Sequence, residues 1–201
     1  MNLFHSIPFA LALGLSVPAL AQTTTTPIYM LLQPLVESDA NGIDICGVDA
    51  TAAVVIDKKL ETYAFQFYVS ASTFSGHINA GQLSDPAKPK TAEKQKVFPR
   101  PTGFWIARKD HGEALHARDI KASGKPGHLA GTADLIPASK QLMNLIEGEA
   151  MQISIEYPNQ RNQTVIEFSQ KLSDEDHDAM LSCVKDQMVS IRREYEAHKQ
   201  K

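Results

Sequence analysis

Several common signatures of chemistry are missing from this chain. It holds no Gly-x-Ser-x-Gly turn, no phosphate-binding loop and no dinucleotide fingerprint, so no local motif marks a nucleophile elbow or a nucleotide site. Cysteine is scarce: only Cys46 and Cys183 occur, without a Cys-x-x-Cys, which excludes attached haem c and disfavours a dithiol redox pair. Cys46 also lacks the nearby His and Met that an electron-transfer copper site needs. Neither sign of charge dominates. Twenty Lys and Arg against 23 Asp and Glu leave a net charge of −3, which gives no electrostatic reason to expect nucleic acid or anionic lipid as a partner. No repeat recurs at a fixed period, and no apolar run after residue 21 is long enough to span a bilayer.

What is present begins at the N-terminus. An apolar run from Ile7 to Leu20, broken by Pro8, Gly14, Ser16 and Pro18, leads to Ala19-Leu20-Ala21, a small-x-small cleavage pattern. Residues 1–21 read as a secretory signal peptide, although no Lys or Arg precedes the apolar run. The run is too short for a membrane anchor, and no cysteine follows the cleavage point to accept a lipid. The expectation is therefore a periplasmic or secreted protein with no membrane span after signal removal.

About 180 residues then remain, enough for one domain that buries roughly 70% of its unfolded surface. In an oxidising compartment, two cysteines predict one structural bridge, Cys46–Cys183. Closing a loop of about 140 residues restricts the unfolded chain by ~5 kcal/mol on the chain-entropy account.

The predicted organisation is a single α+β domain over 28–201 with a mainly antiparallel sheet, preceded by a flexible threonine-rich leader at 22–27. Residues 28–35 suit a first strand. Residues 49–62 are ambiguous, with Val54, Val55, Ile56 and Leu60 compatible with either element; the Asp49 cap tilts the reading to helix. Tyr63, Phe65, Phe67, Val69 and Ala71 alternate with polar or small residues and predict a strand with one aromatic face inward. A Pro- and Lys-rich stretch at about 84–101 reads as an exposed loop. Strands are expected at 103–108, 114–122 and 128–136, a short helix at 140–146 stopped by Gly148, and a hairpin from Met151–Tyr157 to Thr164–Phe168. Ser173-Asp-Glu-Asp176 then caps a long amphipathic helix whose apolar residues, Met180, Leu181, Val184, Met188, Ile191 and Tyr195, follow at three- and four-residue steps.

The order of short helix, hairpin and terminal helix in the last third of the chain resembles in outline the tails of several small exported bacterial proteins, the invasion-associated locus B type among them. No specific motif is shared, and no family follows from it.

Two further constellations deserve a chemical reading. Asp174-Glu-Asp-His-Asp178 offers oxygen and imidazole ligands, but acidic residues in a first helical turn are what the helix dipole favours anyway. Asp110-His-Gly-Glu-Ala-Leu-His116 superficially resembles a zinc-protease helix, yet its histidines are five apart and fall on one face of neither a helix nor a strand. No catalytic residue, metal ligand or cofactor is assigned. The leading expectation is a non-enzymatic exported module that binds a protein or cell-envelope partner. Its rivals are a small periplasmic hydrolase, possibly metal-dependent, that gathers His111, His116 and His128, and an accessory subunit of a secretion or envelope assembly.

Overall fold

A computed structural model describes residues 21–40, 42–83, 101–110, 112–123, 127–157 and 162–199. The signal-peptide reading before Ala21, nearly all of the Pro- and Lys-rich stretch, His111 and most of the 124–127 turn lie outside these residues. Among the described residues, eleven strands and two helices follow in chain order: β1 (Ala21–Thr25), β2 (Tyr29–Asp39), β3 (Gly42–Ile56), β4 (Lys59–Ser70), β5 (Ser75–Gln82), β6 (Gly103–Arg108), β7 (Leu115–His116), β8 (Arg118–Ala122), β9 (His128–Asp134), α1 (Leu135–Ile146), β10 (Met151–Glu156), β11 (Asn162–Phe168) and α2 (Asp174–Lys199).

Period-two alternation explains most of the architecture. In β4, Tyr63, Phe65, Phe67 and Val69 are buried while the intervening residues through Tyr68 are half-buried. The strands form a six-stranded sheet in the order β2-β3-β4-β5-β9-β8, with all neighbours antiparallel, and a five-stranded sheet in the order β1-β11-β10-β6-β7. The sheets face each other across one apolar core, where the rings of Phe65 and Phe168 lie 5.6 Å apart. Short links join the sheets at both margins: β1 leads into β2, and β7 leads through Ala117 into β8. The result is a single α+β domain.

Residues 49–62 are strand and not helix. Asp57 and Lys58 both adopt positive φ, 49° and 63°, at the tip of the long β3–β4 hairpin. Two consecutive residues of that conformation make the tight turn whose twist suits a hairpin. The leader also differs from expectation: Ala21–Thr25 pairs in parallel with β11, a role that suits β-branched threonines. The expected strand at 114–122 is divided between the two sheets, and the short helix starts at Leu135, directly after β9. Gly76 lets α1 approach closely, because a Cβ there would stand 2.2 Å from the Ala138 Cβ.

The hairpin of β10 and β11 forms as expected, with Met151 opposite Phe168. So does α2, where the Ser173 hydroxyl accepts from the Asp176 amide at 3.1 Å and donates to its carboxylate at 2.7 Å. The disulfide joins Cys46 on β3 to Cys183 on α2. One turn further along α2, the Gln187 side-chain amide donates to the carbonyls of Asp44 at 2.6 Å and Val69 at 2.7 Å. These two attachments set the rotation of the helix. Gln187 and Ser190 are consequently buried, whereas Met188 and Tyr195 of the expected inward stripe are exposed by 54% and 62%.

Candidate functional site

Cys46, Phe67 and Val69 point to the side of the six-stranded sheet that carries the core and α2. Strand geometry sends their neighbours to the opposite side. Among the described residues neither helix packs on that outer face. Its centre is a row of polar side chains lying across three strands. Gln66 donates to the Asp49 carboxylate at 3.1 Å, and Asn79 donates to the Gln66 carbonyl oxygen at 3.2 Å. The next row places Gly47, Tyr68, His77 and Thr132 side by side. The Tyr68 and His77 rings stack with centroids 4.8 Å apart and planes 9° from parallel. Gly47 leaves space for Tyr68, since a Cβ there would lie 2.2 Å from the tyrosine Cβ.

The turn after β4 adds hydroxyls at one end of this face. His77 Nε2 stands 3.0 Å from both Thr73 Oγ1 and Ser75 Oγ. Nearby, Asp44 accepts from the Ser72 amide at 2.8 Å and the Ser70 hydroxyl at 3.1 Å. Phe74, at φ 49°, reverses the chain so that Ser70 and Ser75 pair in register. Burial pulls the His77 imidazole below its ordinary pKa and Lys121 adds to this, against the pull of Asp44. Burial pushes the Asp44 carboxyl up, but its bonds from Ser72 and Ser70 prevail and hold it below the usual carboxylate value. Burial raises the Tyr68 phenol. At neutral pH the set is therefore a neutral imidazole, a carboxylate and a neutral phenol, able both to donate and to accept hydrogen bonds.

At its other end the same face turns apolar. Tyr29 and Leu31 on β2, and Val55 and Leu60 on the β3–β4 hairpin, are all exposed large side chains. Pro34 sits opposite Val48 in β2, an edge strand, where proline is tolerated in a sheet.

Of the histidines singled out in the sequence, His111 lies outside the described residues, and His116 and His128 stand in different sheets. His116 lies exposed on β7 of the five-stranded sheet, its ring 6.4 Å from that of Trp105. His128 lies on β9 of the other sheet, over Gly81, where a Cβ would meet its ring at 2.6 Å. His177 in the acidic first turn of α2 contacts Asp178 at 3.4 Å. Among the described residues no three His, Cys, Asp or Glu side chains are grouped to hold a metal ion. Among the described residues, the fold sets two hydroxyls beside the His77 imidazole, which sequence reasoning passed over. Its signal was the alternation of Ser75, His77 and Asn79 against Gly76, Ile78 and Ala80.

An open groove of about 350 Å³ lies elsewhere, between α2 and the start of β3, with Ile43, Asp186, Ser190 and Arg193 in its walls. No helix among the described residues is long and apolar enough to cross a membrane. Comparison with protein-family models, curated proteins and solved structures finds no match to this chain.

Proposed function

We propose that this chain is an exported, non-enzymatic binding or accessory module whose partner is a protein or cell-envelope component, engaged by the outer face of the six-stranded sheet. The observation that carries the reading is the composition of that face. It places an apolar patch (Tyr29, Leu31, Val55, Leu60) beside a hydrogen-bonded polar row (Asp49, Gln66, Asn79) and the Tyr68–His77 stack. A broad apolar patch rimmed by polar groups is the usual form of an interaction surface. The export reading rests on the signal-like N-terminus and agrees with the disulfide, which persists in oxidising compartments.

Tyr29→Ser combined with Leu31→Ser and Leu60→Ser tests the face. Co-purification with native envelope material is expected to be lost while the unfolding midpoint stays near that of the parent. Undiminished co-purification would remove this face from the proposal. Turnover of peptidoglycan, ester or peptide substrates by the pure protein would replace the non-enzymatic reading with a hydrolase.

A further inference from the structure

We infer that α2 is a self-association element and that its occupant is α2 of a second copy of this chain, lying antiparallel. The apolar residues Leu181, Val184, Met188, Ile191 and Tyr195 are separated by steps of three, four, three and four, the spacing of a heptad seam. The disulfide and the Gln187 amide turn Cys183, Gln187 and Ser190 toward the sheet, which leaves this seam on the flank of the helix. Val184 packs partly against the core, while Leu181, Met188 and Tyr195 stand 37%, 54% and 62% exposed. The other described helix, α1, buries Ala138, Leu142, Leu145 and Ile146 in the core.

The seam is complementary to its own reverse. A twofold axis at Met188 sets Leu181 against Tyr195 of the second copy and brings Val184 to within one residue of Ile191, closing the contact as an isologous pair. Charge favours the same direction. The helix begins with Asp174, Glu175, Asp176 and Asp178, and Lys199 lies at its far end, so antiparallel pairing brings Asp178 to within one residue of Lys199 of the second copy. Lys185 would face Arg192 across the axis, but Arg192 is already bonded to Glu196 at 3.1 Å within its own helix. A parallel arrangement would instead stack the two acidic turns on each other. The seam covers two heptads, fewer than the three or four that sustain a free-standing coiled coil, so weak, micromolar association is expected. Dimerisation through this flank leaves the outer sheet face of both copies open.

Sedimentation equilibrium of the purified protein tests the inference, with a concentration-dependent rise to twice the monomer mass expected. Met188→Glu places two carboxylates on the axis and should weaken association by roughly 100-fold. Val189→Glu, one residue along and about 100° round the helix, should leave it unchanged. As a geometric test that needs no change in charge, Met188→Cys should cross-link to itself under mild oxidation much faster than Val189→Cys. A monomer at every concentration up to roughly 500 µM overturns the proposal. So does equal cross-linking of the two cysteine variants.

Discussion

The two sides of the six-stranded sheet come from the same strands, yet they are built for different work. On the inner side, Val48, Ala50, Phe65, Phe67 and Ile78 are closed off from solvent and locked against the second sheet. On the outer side, their immediate neighbours remain accessible: Asp49, Gln66 and Asn79 bond to one another, Tyr68 stacks on His77, and His77 meets the hydroxyls of Thr73 and Ser75. Strand alternation thus separates the stabilising side from the side proposed for recognition at single-residue resolution. Substitutions one position apart should have unlike consequences.

The largest loss is expected inside. Phe67→Ala should destabilise the domain by about 3–5 kcal/mol, read as a shift in urea midpoint, whereas Gln66→Ala should stay within about 0.5 kcal/mol and affect only binding. If both cost the same, the proposed division fails. Replacing Cys46 and Cys183 together by Ala should cost about 2–4 kcal/mol. Gln187→Leu comes next, at about 1–3 kcal/mol, because the Asp44 and Val69 carbonyls each lose a donor, although that of Asp44 keeps the Ala71 amide. The disulfide and the glutamine hold α2 at adjacent turns, so a double-mutant cycle between them should be non-additive.

The smallest effect concerns pH. His77 has a folded pKa below its unfolded value, so as pH falls below about 6.5 the unfolded state takes up the proton first and stability declines. The contribution is full above the unfolded pKa and is lost as pH drops through the folded one. Unfolding of His77→Gln should show a flatter profile between pH 7.5 and 5. An unchanged slope would mean that His77 is not the titrating group.

Legibility in the sequence followed the geometry of each element. β4 was readable because a strand has only two faces, so Tyr63, Phe65 and Phe67 could not be misplaced once alternation was seen. The β10–β11 hairpin and the existence of α2 followed from equally strong patterns, and the bridge from having only two cysteines. The β3–β4 hairpin was hidden because its turn is Asp57-Lys58, without the glycine or asparagine that normally marks positive φ. The direction in which α2 faces was hidden for a different reason. A helix can rotate continuously, and here its rotation is decided by Cys183 and by Gln187, a polar residue that periodicity assigns to solvent. The outer face escaped notice because its members come from four strands and meet only through register.

The disulfide also changes what a broken backbone means for this protein. Cys46 and Cys183 stand 137 residues apart and enclose β4 through β11 and most of β3. A protease that clips any single peptide bond between them produces two fragments that remain one covalent molecule. Such a nicked chain keeps its mass on a non-reducing gel and separates only when a reductant is added. Survival after cutting is therefore built into the molecule for most of its length, and is absent only in the two ends beyond the bridge.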